Sequence, residues 1–386
     1  MTSKQSNSLP KVLHCHSAFG DQGVSGQAAL QSVRLMNAFG SRLSHSIVSA
    51  QRDQLEAAIA VNPSVPVSYP KEFPKLAGWS TPGRLLALAK AMQKFDLILT
   101  YGWGAMGAVM AHTVFGQSMG LAPLIHDESG FEPDEARKLN RGRNWYRRIA
   151  LGRTAGLVVP SERLEAIALE NWYQPIGRVK LISPGVDVKA YAKKCRPDAL
   201  RRVVKHDGER WIGADAEHGS LEPLHRLITS LAELPEDWHA VIVGQLADAE
   251  KLRELASEFE VSHRVHLPGE VTDLAKVMGL FDIFAVPSID AQMPVPMLQA
   301  MAAGLPVAAY DVGDIAECVA ERNAPFIVNP AQPAELGSAL TKLAALGEKR
   351  SVIGADNRAV ATQKFDEKTM TESYRRLYAN ALDREI

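Results

Sequence analysis

Three stretches of the sequence gather residue types that can do chemistry. The first is Ser17-Ala18-Phe19-Gly20-Asp21-Gln22-Gly23-Val24-Ser25-Gly26, a glycine-rich segment between an apolar run and an amphipathic one. Glycines let a backbone come close to a ligand, and the free N–H groups and dipole at a helix start favour an anion such as a diphosphate. Gly23 and Gly26 are the candidate contacts, with Ser25 between them; the run is not a G-x-G-x-x-G pattern, and a plain turn between strand and helix fits it too. In the second stretch, Ile125-His126-Asp127-Glu128-Ser129-Gly130-Phe131, His126 and Glu128 could touch a substrate hydroxyl or transfer a proton. Polar residues that only cap the next helix would read the same way. The third stretch is basic: Arg137, Lys138, Arg141, Arg143, Arg147, Arg148 and Arg153 follow one another with no acid among them and with Trp145 and Tyr146 interleaved. Such a segment can rest on an anionic bilayer surface, or form a helix face balanced by acids from elsewhere in the fold. His14-Cys15-His16 has metal-binding side chains, but neighbours on a strand point to opposite faces, which favours buried packing; no metal is expected.

These groups need a scaffold, and composition bounds it. The 386 residues, 46% hydrophobic and 23% charged, suffice for two domains with separate cores. Lys+Arg 43 against Asp+Glu 44 argues against a nucleic-acid partner. Cys15, Cys195 and Cys318 are widely spaced and form neither a disulfide framework nor a zinc motif, which fits a reducing cytoplasm. A polar start over residues 1–10 and the lack of a run of about 18 apolar residues argue against a signal peptide and a membrane span.

Short apolar segments alternate with helical ones along the chain, the pattern of parallel sheets covered by helices. Expected strands fall at 12–14, 47–49, 96–101, 123–126, 157–159 and 179–182, then at 211–213, 240–244, 265–267, 283–286, 306–309 and 326–328. A helix starting near Gln27 places Ala29, Val33, Met36 and Gly40 on one face. The fold class is α/β, with two doubly wound Rossmann-like domains facing each other across a cleft. Residues 1–188 form the first domain and 189–365 the second; a helix within 366–386 has no strand after it and is expected to pack back across the junction.

One segment carries a resemblance. Val286-Pro287-Ser288-Ile289-Asp290-Ala291-Gln292-Met293-Pro294-Val295-Pro296-Met297-Leu298-Gln299-Ala300-Met301-Ala302-Ala303-Gly304-Leu305-Pro306-Val307 reads as strand, loop, helix, glycine stop and strand. It resembles the donor-site signature P-S-x-x-E-G-F-P-x-x-x-L-E-A-M-A-x-G-x-P-V of family-four retaining glycosyltransferases of the GT-B fold. Arg34 to Gly40, Trp103-Gly104-Ala105, Ile182 to Asp187 and Asp311 to Glu317 are similar to other segments of that family in the same order, so the resemblance runs over residues 11–382.

The resemblance implies transfer of a sugar from a nucleotide-sugar donor to a hydroxyl of a saccharide or lipid-linked acceptor, in polysaccharide, lipopolysaccharide or glycolipid assembly. It implies retention of anomeric configuration, no metal or other cofactor, and a cytoplasmic protein at the inner face of the membrane. Gly23, Gly26, Gly213, His218, Ser288, Pro294, Leu298 and Gln299 would hold the donor, Ser25, Trp103 and Ser129 the acceptor, and His126 and Glu128 would be catalytic. The chain departs from the signature where the charges stand. The family's two donor glutamates fall on Ala291 and Gln299, with Asp290 adjacent, and its Arg and Lys fall on Ala214 and His218. Gln299 keeps an amide oxygen for a ribose hydroxyl, and Lys205 or Arg210 would supply replacement charge. These departures leave two alternatives: a binding or scaffold protein that lost transfer, and a sugar-nucleotide epimerase of the same fold.

Overall fold

A computed structural model describes residues 9–20, 23–130, 135, 139–216, 221–246, 248–289 and 293–386, with the side chains of residues 23, 24 and 221–223 outside the description. The chain divides into two compact units, Met1–Pro184 with Met370–Ile386, and Gly185–Thr369.

The first unit is built on strands β1 (Lys11–Ala18), β2 (Ser44–Gln51), β3 (Val67–Ser68), β4 (Leu97–Tyr101), β5 (Leu124–Asp127), β6 (Gly156–Val159) and β7 (Val179–Leu181), in the order β3-β2-β1-β4-β5-β6-β7. The second has β8 (Arg210–Asp215), β9 (Trp238–Val243), β10 (Val265–Gly269), β11 (Ile283–Val286), β12 (Val307–Tyr310) and β13 (Ile327–Val328), in the order β10-β9-β8-β11-β12-β13. Every pairing is parallel. Parallel neighbours need crossover helices, which cover both faces of each sheet and make the strands apolar on both sides. Along β1, Leu13 and Cys15 enter the core on one face and Val12 the core on the other. In the second unit Trp211 and Phe284 enter one layer, and Ile212 and Ile283 the opposite one.

The structure differs from the sequence reading at three places. Helix Gly23–Phe39 begins four residues before Gln27, so Gly23, Ser25 and Gly26 form its first turn rather than a loop. Strand β3 has only two residues, too few to show a period. The first unit ends at Pro184 rather than at 188, because Val186 already donates its N–H to the Phe365 carbonyl of the second unit. The last helix, Glu367–Leu382, places Met370, Tyr374 and Tyr378 in the first unit's core.

Two glycines and two amides hold the signature helix Val295–Ala303 in place. Gly304 stops it in the left-handed conformation at φ 82°, where a side chain would be strained. A Cβ on Gly354 would come within 1.9 Å of the Gly304 carbonyl oxygen, so the helix Arg350–Lys364 lies against that stop only because position 354 has no side chain. Buried Asn323 brackets Val307 by accepting from its N–H and donating to its carbonyl, while Asn357 donates to the Leu305 carbonyl and accepts from the Ala320 N–H. These bonds satisfy main-chain groups where strand β12 begins.

Candidate functional site

In each sheet the chain leaves one central strand toward one edge and its neighbour toward the other, which opens a crevice beyond their carboxyl ends. In the first unit these strands are β1 and β4, and the loops there are joined by Ser17. Its hydroxyl donates to the Tyr101 carbonyl at 3.0 Å and accepts from the Gly104 N–H at 2.7 Å. A Cβ on Gly104 would lie 2.8 Å from Ser17 Cα, so this joint needs glycine. His16, Ser17, Ser25, Trp103, Glu128 and Ser129 line the resulting pocket. Sequence reading singled out Ser25, Trp103, Glu128 and Ser129, and the fold brings all four together. His126 is not among the lining residues: it is fully buried, with Nδ1 2.8 Å from the Thr100 hydroxyl.

Glu128 is the charged member of the pocket, and its environment is set by Arg147. The Arg147 guanidinium is fully buried and donates from Nε to Glu128 Oε2 at 3.1 Å and from Nη1 and Nη2 to Glu135 Oε2 at 3.1 Å. Arg143 adds a 3.0 Å bond to Glu135, and both guanidiniums lie over the Trp103 ring, 5.1 and 5.0 Å from its centre. Burial, the largest single influence, would raise the Glu128 carboxyl; the charge and hydrogen bond of Arg147, together with the neighbouring His126, outweigh it and hold the group below the usual carboxylate range. Glu128 is therefore an ionised hydrogen-bond acceptor near neutral pH, not a proton donor. Its Oε1 is buried and has no hydrogen-bond partner among the described residues, and His126 Nε2 stands 3.7 Å from Oε2, beyond hydrogen-bond reach.

This divides the basic segment between its two alternatives. Arg143 and Arg147 are turned inward, because two buried carboxylates need them, while Arg141, Arg148 and Arg153 remain exposed; Arg137 and Lys138 lie outside the described residues. The i, i+4 spacing of Arg143 and Arg147 was the available signal. It marks a helix face distinct from that of Trp145, Arg148 and Ile149.

Sequence reading also missed a polar layer under the pocket. Asp127 accepts from the Ser129 hydroxyl at 2.8 Å and from Tyr374 of the last helix at 2.5 Å; burial raises its carboxyl, and those two bonds partly offset the rise. His14 and His16 share one face of β1, as alternation requires. Tyr101 stacks on His16 with ring centres 4.1 Å apart, and His14 bonds Tyr101 and His45 at 3.1 and 2.9 Å. Burial lowers His16 to about 3 and His45 to about 4, so both are neutral near pH 7. Among the described residues no group of three or more His, Cys, Asp or Glu side chains is placed to hold a metal.

In the second unit the corresponding crevice lies beyond β8 and β11. Half-buried Ser288 follows β11, Pro294 caps the helix Val295–Ala303, and Gln299 lies in that helix with Oε1 shielded from solvent and without a hydrogen-bond partner among the described residues. Other candidates have packing roles. Leu298 is wholly buried in the core, and a Cβ on Gly213 would come within 2.3 Å of the Phe281 ring, so this glycine makes room for Phe281. Ala214 is a buried strand residue. Lys205 and Arg210 stand at the opposite, amino-terminal ends of the strands and pair with Asp282 at 2.7 Å and Asp237 at 3.1 Å, so they do not replace the lost charges. His218, Asp290 and Ala291 lie outside the described residues.

Two sheets of this order with this connectivity form the two-domain α/β GT-B fold. Residues 33–190 match the family described as Glycosyltransferase Family 4, and residues 213–345 the family Glycosyl transferases group 1. The chain is thus a glycosyltransferase of the GT-B class. It is 26% identical over 290 residues to a D-inositol 3-phosphate glycosyltransferase of Corynebacterium efficiens, a stretch covering 68% of this chain and 66% of that relative. It is 22% identical over 206 residues to the 2-deoxystreptamine glucosyltransferase of Streptomyces kanamyceticus, covering 51% of this chain and 53% of the relative. Among solved structures, Anabaena HepE in complex with UDP and glucose superposes with a TM-score of 0.73 at 18% identity, covering 96% of this chain and all 100% of that one.

The Arg147 network makes a specific demand on pH. Arg147→Met leaves two buried carboxylates without their shared cation and should cost about 3–5 kcal/mol at pH 7. The wild-type contribution of Glu128 is present above its unfolded pKa of about 4.3 and fades as pH falls through its lowered folded value. Urea unfolding should therefore show the gap between wild type and variant narrowing as pH falls below about 4.3; a gap independent of pH would contradict the assignment.

Proposed function

We propose that this chain moves a sugar from a nucleoside-diphosphate donor, held by the second unit, to a hydroxyl of a saccharide or lipid-linked acceptor held by the first. The bond from the anomeric carbon to the diphosphate oxygen breaks, the bond to the acceptor oxygen forms on the same face, and the acceptor proton leaves with the diphosphate. No metal takes part. Gln299 carries the reading: its amide oxygen is buried and partnerless at the position where the resembled signature contacts the ribose. An orphaned buried acceptor costs about 1–3 kcal/mol, which a ribose hydroxyl would relieve on binding. The N-terminus of the helix Val295–Ala303 adds partial positive charge for the diphosphate in place of the family's Arg and Lys.

On the acceptor side, Glu128 Oε1 is suited to accept from the attacking hydroxyl and orient it, with Trp103 as an apolar wall and Ser25 and Ser129 as further polar contacts. His126 is a positioning residue behind Glu128. A role in polysaccharide, lipopolysaccharide or glycolipid assembly agrees with a surface patch on the same unit. Trp145 (66% exposed), Ile149, Tyr173 and Ile176 (76%) stand in the open, and Arg148 lies over the Tyr173 ring at 4.1 Å. Exposed aromatic and aliphatic side chains set among arginines suit an anionic bilayer, and among the described residues no helix is long and apolar enough to cross one.

Calorimetry with a panel of UDP-, GDP- and ADP-sugars, followed by product analysis of each binder, tests the transfer reading. One donor should bind and give a product with retained configuration by NMR, and Gln299→Ala should weaken its binding about tenfold, the loss of roughly one hydrogen bond. Binding without any product across an acceptor panel would instead favour the noncatalytic alternative. For the surface patch, sedimentation with phosphatidylglycerol vesicles should pull down the wild type, and Trp145→Asp with Arg148→Glu should abolish this while donor binding is unchanged. Equal sedimentation of both proteins would remove the membrane contact from the account.

A further inference from the structure

A second pocket opens in the first unit, one strand outward from the crevice at β1 and β4. It lies beside β2, beneath the segment that follows β3, and encloses about 260 Å³. A single water needs only about 10–15 Å³ by the same kind of measure, so this is room for an organic molecule rather than a packing defect. Ile47, Val48, Phe73 and Leu76 provide apolar wall, and Arg52 and Lys71 are the charged lining residues. Neither cation is in an ion pair among the described residues. Arg52 donates to the Phe73 carbonyl at 2.6 Å, which fixes its guanidinium without an opposing charge, and Lys71 has no ion pair among the described residues. Asp53 and Glu72, their neighbours in sequence, are not lining residues. Tyr69, exposed at the edge, adds a hydroxyl and an aromatic face.

An apolar pocket with two cations and no acid selects one chemistry. We propose that it binds an amphiphilic anion, a molecule with a phosphate or carboxylate head and a short aliphatic body, with the head on Arg52 and Lys71 and the body against Val48 and Phe73. Arg52 offers a planar set of donors for an oxyanion, and Lys71 a mobile point charge. Residues Val48 and Ser49 of β2 pair with Cys15 and His16 of β1, and His16 also lines the crevice, so the pocket is one strand away from the proposed acceptor site. The inference needs no transfer chemistry, and binding alone decides it.

The test is calorimetry on the full chain with n-octyl phosphate below its micelle concentration, with inorganic phosphate and n-octanol as separate arms. Octyl phosphate should bind at least tenfold more tightly than either. Lys71→Ala should weaken it by about tenfold, as loss of a charge-assisted contact does, and Arg52→Gln with Lys71→Ala should reduce it to the level of octanol. Leu55→Trp, which fills the pocket from its rim, should abolish binding, while Arg141→Ala, an exposed cation on another face, should change nothing; unchanged melting temperatures confirm that the variants fold. Absence of octyl phosphate binding, equal binding of inorganic phosphate, or binding that survives Leu55→Trp would each overturn the proposal. Donor binding at Gln299 is scored separately, so failure here leaves the transferase reading intact, and the converse also holds.

Discussion

The reversal of strand order in the middle of each parallel sheet is the constraint from which the rest of this molecule follows. A right-handed crossover can carry the chain toward only one edge at a time, so β1 and β4, and again β8 and β11, are neighbours whose following loops part in opposite directions. Main-chain groups at the parting are left without strand partners, and the sequence supplies small or polar residues there. Ser17 closes the gap between the β1 and β4 loops with two hydrogen bonds, and Gly104 permits the approach. Side chains that must meet a ligand are found beside these partings because the remaining strand surface is covered by helices.

What keeps the first-unit pocket polar is a buried charge network. Burial would drive the Glu128 carboxyl toward the neutral form, and Arg147, with His126 nearby, reverses that and pairs with buried Glu135 as well. The same guanidinium packs on Trp103 and Trp172, so a single side chain fixes the charge of one pocket wall and the position of another. Beneath lies Asp127, tied to Tyr374 of the last helix, 247 residues away in sequence. The C-terminal helix thus contributes to the first unit's site as a support, through a hydroxyl whose importance no local pattern announces.

The strands were legible because burial on both faces makes them apolar whatever their neighbours, and the signature helix because Pro294, the alanines and Gly304 state its start, packing and stop. Strand β3 was not legible, since two residues, Val67 and Ser68, carry no period. At the site, Ser25, Trp103, Glu128 and Ser129 could be chosen from their place after strands. The partners that set their chemistry could not, because Arg147 meets Glu128 and Glu135 only once the helix Arg141–Ala150 has docked. Gly213, a donor contact by resemblance, also has a packing role that no local pattern announces: the space a side chain would take there is filled by Phe281.

In the proposed reaction a nucleotide-linked sugar settles at the start of the helix Val295–Ala303, near Gln299, whose buried Oε1 has no partner among the described residues. Hydrogen-exchange mass spectrometry with and without a saturating nucleotide-sugar reads this directly, peptide by peptide. The account predicts that slowed exchange in the second unit centres on peptides spanning residues 286–300, with the strands at its sheet edges unchanged. Protection confined to other peptides, or none with any donor that calorimetry shows to bind, would contradict it.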